Sequence, residues 1–275
     1  MHCGVSTYLF HDQRLTRDHL AAVAAHGFTA IELFALATHF DYHDAAAVDA
    51  LAGWLAETGL SLHSVHAPIA ESFANGAWGP GLSFADRDRR TAAMREAEAA
   101  LGIARRIPFP YLVVHVGTAD EYVKAPHDNN LEQARRSIED LHALAAPLGV
   151  KLALEVIPNR LSSVGGLIRL IDDLEIDDAG LCLDFGHAFI MDDLVDAIEE
   201  ASGHLLMAHL SDNGGRGDDH RVPFEGRIDW PAALFATRKV GYEGLWLFEV
   251  AGSPPDDILR RARRACERFE EILAS

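Results

Sequence analysis

Short apolar runs alternate along the chain with longer stretches in which apolar residues recur at helical spacing. Eight such runs can be counted, at residues 2–7, 29–35, 61–67, 111–117, 150–157, 180–187, 204–211 and 244–250. Strands of this length alternating with helices are typical of repeated βα units around a parallel sheet. No glycine-rich dinucleotide turn follows the first run, which favours a closed barrel over an open doubly wound sheet. We therefore predict an α/β protein with one (β/α)8 TIM barrel domain spanning residues 1–275.

Helical periodicity fills the intervals between these runs. The pattern predicts helices at residues 16–26, 44–58, 86–106, 131–146 and 192–202, and a closing helix at 254–273 with a densely charged outer face. Gly27 and Gly59 fit the C-terminal ends of two helices. Asp229 fits the N-cap of a further helix.

The last four apolar runs each end in a side chain that can bind a metal ion: Glu155, Asp184, His209 and Glu249. Burying a carboxylate or imidazole there is costly unless it binds a cation or a substrate. Active sites of (β/α)8 barrels lie at the C-terminal ends of the strands, so we expect these four residues to share one site. By strand parity, Ala153, Cys182 and Met207 face the same side as the first three, which is the barrel interior.

The donor set and its surroundings favour a metal site over a set of buried ion pairs. Three oxygen donors and one nitrogen donor suit Mn, Mg, Co or Zn. No Lys or Arg lies beside the four residues in the predicted strands to neutralise them. A single residue of this kind could still be an ion-pair partner or a strand cap, but four in succession point to one shared cation.

Six further residues fall on the same predicted rim and could bind substrate or additional metal: His66, His115, His187, Arg216, Asp218 and His220. His66 and His115 end earlier predicted strands, where a single histidine is more often a hydrogen-bonded barrel residue. His187 follows Asp184 by three residues, and its alternative role is that of a structural loop histidine. The other three lie in a glycine-rich polar loop at residues 211–230, whose remaining charges we expect to be solvated.

Composition restricts the cellular compartment and the binding partners that we expect for this protein. The formal net charge of −18 disfavours nonspecific binding to polyanions, although bound divalent ions can reverse the field locally. The first residues lack a signal-peptide pattern and no run reaches the roughly 18 apolar residues that span a bilayer, so we expect a cytoplasmic protein without membrane contact. Cys3, Cys182 and Cys266 are odd in number and far apart, which predicts reduced thiols and no disulfide framework.

The strand-end ligands, with the DFGH motif at residues 184–187 and the DDH…PFEGRIDW segment at residues 218–230, resemble the xylose isomerase-like TIM barrel superfamily. This superfamily includes sugar phosphate isomerases and epimerases, inosose dehydratases and the apurinic-site endonucleases of AP endonuclease family 2. The resemblance extends over nearly the whole chain. It implies a barrel enzyme but does not identify the substrate.

For the sugar-acting branch, the resemblance implies one divalent ion (Mn, Mg, Co or Zn) held by the four strand-end ligands. The ion would polarise the carbonyl of a sugar or cyclitol and stabilise the enediolate formed when a proton leaves the adjacent carbon. Glu155 and Glu249 would be the catalytic groups that remove and return this proton. His187 and Arg216 would hold substrate oxygens.

Two other features bear on this branch. Ketose epimerases usually have a second glutamate six residues after the first, where this chain has Leu161. Phe73 and Trp78 lie in the loop after the third predicted strand and could close over an apolar sugar face or belong to a surface turn.

The endonuclease branch gives the alternative prediction of two or three zinc ions. This chain has a candidate for every zinc ligand of that branch: His66, His115, Glu155, Asp184, His187, His209, Asp218, His220 and Glu249. Such a cluster would activate water for attack on a phosphodiester. The charge of −18, the lack of a dense basic run and an aromatic content of 8% argue against nucleic acid as a partner.

A non-catalytic sugar-binding barrel is the third alternative, and it would require a displaced ligand or a filled pocket. Every expected ligand is present in the sequence. We expect a small-molecule sugar or cyclitol substrate, and a monomer or homodimer.

Overall fold

The computed structural model describes residues 2–70, 81–120, 123 and 128–275. Eight parallel strands form a closed barrel in chain order. They are β1 Cys3–Ser6, β2 Ala30–Phe34, β3 Ser61–His66, β4 Tyr111–Val114, β5 Lys151–Glu155, β6 Gly180–Asp184, β7 Leu205–Leu210 and β8 Trp246–Phe248. The first strand pairs with the last, which closes the barrel. Each strand lies within one of the predicted apolar runs, and the predicted (β/α)8 TIM barrel is confirmed.

Helices follow the strands and form the outer layer. The described helices are α1 Arg17–Ala25, α2 Ala45–Thr58, α3 Arg87–Leu101, α4 Leu131–Ala145, α5 Val164–Leu174, α6 Phe185–Met191, α7 Leu194–Glu200, α8 Trp230–Lys239 and α9 Pro255–Ala274. Gly59 ends α2 in the left-handed conformation, and the Asp229 carboxylate caps α8 by accepting from Ala232 N. Within the described part of the chain, no helix is long and apolar enough to cross a membrane.

The sixth apolar run contains the end of a strand and the start of a helix. As predicted, β6 ends at Asp184, and the rest of the run, from Phe185, belongs to α6. The Asp184 carboxylate accepts a hydrogen bond from His187 N at 2.7 Å, which caps the first turn of the helix. The DFGH motif is therefore a strand-to-helix turn, and His187 lies on the helix.

The barrel interior is filled by a small apolar layer. Its buried members are Val113, Ala153, Cys182, Met207 and Leu247. Three of these are the residues that strand parity places inside the barrel. A much larger apolar core lies between the strands and the helices. The interior layer supports the strand-end side chains from below.

The prediction of reduced thiols is wrong for two of the three cysteines. Cys3 and Cys266 form a disulfide, although 263 residues separate them. Barrel closure packs α9 close to β1 and brings the two Cα atoms to 6.6 Å, within the range that a disulfide requires. Sequence spacing carries no sign of this proximity. Cys182 is a free, buried thiol inside the barrel.

Candidate functional site

The four strand-end ligands converge at the C-terminal end of the barrel. One donor atom from each of Glu155, Asp184, His209 and Glu249 lies within 4.8 Å of the others, and all four residues are buried. His209 Nδ1 lies 3.3 Å from Glu155 Oε1 and 3.4 Å from Glu249 Oε2. Asp184 Oδ2 is buried and makes no hydrogen bond to the described residues. This unsatisfied oxygen and the mixed oxygen and nitrogen donors fit a divalent cation.

A second group of donors shares Glu155 with the first. His66 Nε2 and His115 Nε2 each lie 3.0 Å from Glu155 Oε2. The other carboxylate oxygen, Oε1, faces His209. Glu155 therefore presents one oxygen to each group, in the manner of a carboxylate that can bridge two cations.

A third group forms between α6 and the loop after β7. Asp218 Oδ2 lies 3.2 Å from His187 Nε2 and 3.0 Å from His220 Nε2. The opposite nitrogen of each ring faces a backbone carbonyl, at 3.1 Å from Val156 O and 2.9 Å from Glu249 O respectively. Backbone contacts of this kind orient the imidazoles so that their Nε2 atoms converge.

The local charges are balanced by histidines. Among the ion pairs of the described residues, none joins a Lys or Arg to Glu155, Asp184, Glu249 or Asp218. Burial raises the pKa of Asp184 to about 6, against the opposing effect of His187. Burial disfavours charge on His220, yet Asp218 raises its pKa to about 10. A cation binding to these groups would displace protons from the histidines, which couples metal binding to proton release.

Glu249 lines a cavity beside the site, whereas Glu155 lies behind the residues that line it. A cavity of about 190 Å³ opens beside the site and is lined by His66, His115, His187, Asp218, His220 and Glu249. Tyr8, Phe34, Ile69, Leu82 and Ile157 contribute its apolar wall. Glu155 is fully buried and contacts two of the lining histidines. Burial opposes ionisation of both glutamates, but neighbouring histidines hold the pKa of Glu249 below its usual range and that of Glu155 well below it.

Arg216 does not line this cavity. Arg216 is exposed and lines a second cavity of about 380 Å³ together with Arg160. Asp218 borders both cavities. Leu161, at the position where ketose epimerases usually have a second glutamate, packs against the apolar core. Phe73 and Trp78 lie outside the described residues.

Glu32 and Asp212 are buried carboxylates that the sequence pattern did not indicate as site residues. Glu32 lies in β2, fully buried, with its Oε2 atom 3.1 Å from His209 Nε2. Asp212 follows β7 and is also fully buried. The expectation that the other charged residues of this loop are solvated is therefore wrong for Asp212. The expectation holds for Asp219 and Arg221, which are exposed. The sequence does indicate Glu32 in one way, because it is an acidic residue in the middle of the apolar run AIELF.

The chain is similar to known proteins over most of its length. Residues 20–269 match the family model described as xylose isomerase-like TIM barrel. The uncharacterized protein y4fM of Sinorhizobium fredii is 29% identical over 245 residues, which cover 80% of this chain and 78% of that protein. A solved D-tagatose 3-epimerase-like protein has a TM-score of 0.82 at 22% identity, with 100% of this chain and 97% of the other covered. The IOLI protein with a bound zinc atom has a TM-score of 0.79 at 17% identity, with 100% and 98% covered.

The family model covers more than half of the chain, and the solved structures share its barrel throughout. The strand-end donors lie at the end of the barrel where such folds place their active sites. The chain belongs to the xylose isomerase-like TIM barrel family.

Proposed function

We propose that this protein is a divalent-metal-dependent isomerase or epimerase of a small sugar, sugar phosphate or cyclitol. The observation that carries the proposal is the group of four buried donors at the C-terminal end of the barrel, with Glu249 facing a cavity. The names of the similar structures support it, since one is a D-tagatose 3-epimerase-like protein and another holds zinc.

In this proposal Glu155, Asp184, His209 and Glu249 hold one Mn, Mg, Co or Zn ion. A divalent ion there would supply Lewis-acid polarisation of the substrate carbonyl, which acidifies the neighbouring C–H. Glu249 Oε2 contacts His209, so Oε1 is the oxygen that takes the proton from this carbon. Burial opposes ionisation of Glu249, but the neighbouring histidines hold its pKa below the usual range, so the side chain is an ionised carboxylate at neutral pH. An ionised carboxylate can accept the proton.

Glu155 is the proposed partner that returns the proton. The histidines that contact both of its oxygens hold this carboxylate in one orientation. His187 lines the cavity, and in this proposal its Nε2 atom binds a substrate oxygen in exchange for its contact with Asp218. Arg216 would bind substrate oxygens from the neighbouring cavity, across Asp218.

A second candidate function, multi-metal phosphoester hydrolysis, is favoured by a specific observation. Glu155 is shared between two donor groups, and His187, Asp218 and His220 form a third. Three adjacent groups can hold two or three zinc ions, and such clusters activate water and spread the charge of a phosphoester transition state.

Metal content and isotope exchange test these functions together. Protein purified without added metal or chelator is analysed for metal per chain by elemental mass spectrometry, and ketoses and inososes are then screened for deuterium uptake from solvent. About one ion per chain, with uptake that Glu249→Gln abolishes, is the result expected for the isomerase. Uptake that persists in this variant would remove Glu249 from the acid–base role.

His220→Ala separates the two candidates. A one-metal isomerase should retain its ion and most of its activity, whereas a multi-metal hydrolase should lose an ion and most of its activity. His142→Ala is the matched control, because His142 pairs with Asp178 on the outer layer. Metal-loaded protein that neither exchanges substrate protons nor cleaves a phosphodiester would contradict both functions.

A further inference from the structure

We propose that Glu32 is a positioning residue that fixes the orientation and tautomer of His209 for metal binding. The inference rests on the proposed function, because it assumes that the strand-end group binds a cation. Glu32 belongs to none of the three donor groups found among the described residues, and there its hydrogen-bond contact with the site is the one to His209.

The His209 ring spans the space between Glu32 and the strand-end ligands. Its Nε2 atom lies 3.1 Å from Glu32 Oε2, on the side of the barrel interior. Its Nδ1 atom lies 3.3 Å from Glu155 Oε1 and 3.4 Å from Glu249 Oε2. One ring nitrogen thus faces Glu32 and the other faces the proposed cation.

Barrel register places a second donor on the same carboxylate oxygen. Glu32 in β2 pairs with Ser64 in β3, and the Ser64 hydroxyl donates to Glu32 Oε2 at 2.8 Å. A carboxylate oxygen carries no proton, so Oε2 accepts from His209 Nε2 as well as from the Ser64 hydroxyl. The ring proton then lies on Nε2, which leaves the Nδ1 lone pair free to bind a metal ion.

The cost of burying Glu32 indicates that it does more than fill space. The side chain is fully buried, and within the described residues no Lys or Arg pairs with it and its Oε1 atom has no hydrogen-bond partner. An apolar residue would fill this part of the barrel at lower cost. A carboxylate behind a metal-binding histidine, however, locks the ring and raises its basicity, and losing such a partner typically costs about 10–100-fold in metal affinity.

The test compares metal affinity in the absence of substrate. Zn²⁺ and Mn²⁺ affinities of the metal-free wild-type chain and of Glu32→Gln are measured by competition with a chromophoric chelator. Glu32→Gln keeps the shape of the side chain and removes its charge, and it should weaken binding by about tenfold or more. Ser64→Ala is the matched control, since it removes the other donor to Glu32 and leaves the His209 contact in place. Its affinity should change far less.

A second measurement needs no variant. In the Zn²⁺-loaded wild-type protein, ¹⁵N NMR of the His209 ring should show the proton on Nε2. A proton on Nδ1, equal affinity of wild type and Glu32→Gln, or an equal loss in Ser64→Ala would overturn the inference alone. Wild-type protein that binds neither Zn²⁺ nor Mn²⁺ would overturn the proposed function together with it.

Discussion

Asp212 organises the loop that carries Asp218 and His220, and its replacement is the sharpest test of how this rim is built. Its Oδ1 atom accepts from Asn213 N at 2.8 Å and Ile228 N at 3.2 Å. Its Oδ2 atom accepts from Phe224 N at 3.0 Å and Trp230 Nε1 at 2.8 Å. One buried carboxylate thus ties together both ends of the loop.

The expected effect of Asp212→Asn follows from these four hydrogen bonds. Asparagine keeps the shape of the side chain but replaces one carboxylate oxygen with an NH₂ group. The two N–H groups that donate to that oxygen lose their acceptor and face the NH₂ group, which is itself a donor. A hydrogen bond to a charged group contributes about 1.5–3 kcal/mol, so the free energy of unfolding should fall by about 3–6 kcal/mol.

Urea unfolding followed by circular dichroism measures this difference. Asp219→Asn is the matched control in the same loop, because Asp219 is exposed and bonds Gly214 N. The control should remain within about 1 kcal/mol of wild type. If Asp212→Asn also stays within this limit, the reasoning that one carboxylate holds the loop is refuted.

Three further predictions concern the loop, a buried histidine and the disulfide. In Gly226→Ala the new Cβ would overlap Asp212 Oδ1 and neighbouring backbone, so urea unfolding should show a loss of about 1–3 kcal/mol. Burial lowers the pKa of His39 to about 4, below the ordinary value of 6.5. The unfolded chain therefore takes up this proton first as the pH falls, and stability is lost from about pH 6.5 down through pH 4. At pH 5 the loss is about 2 kcal/mol, and His39→Asn should remove this part of the pH dependence. Cys3→Ser should lower the free energy of unfolding by about 2–5 kcal/mol, and wild type denatured without reductant should show one titratable thiol, rising to three after reduction.

Local patterns account for the parts of the fold that could be predicted. The eight strands lie inside the eight apolar runs because the strands of a parallel barrel are covered on both faces and are therefore rich in apolar residues. Gly59 and Asp229 mark helix ends because a left-handed residue and a side-chain cap satisfy backbone groups within a few residues. The apolar run at residues 180–187 extends beyond β6, because Phe185 and Gly186 continue the apolar pattern while the Asp184 carboxylate caps the helix that begins there.

Glu32 and the disulfide show why other features could not be predicted. Glu32 is 177 residues from His209, and Cys3 is 263 residues from Cys266. Their partners depend on which strands become neighbours across the barrel and on where the last helix packs. Neither relation has a local signature in the chain.

The sequence by itself determined the order of strands and helices, the barrel that this order closes into, and the chemical types of the side chains at the strand ends. These properties depend on periodicity and on position along one strand, which are local. Only the tertiary structure decided that Glu155 faces two donor groups at once, that Asp212 is buried beneath its loop, and that His209 lies between Glu32 and the strand-end ligands. Those relations depend on distances across the barrel, which barrel closure and strand register set together.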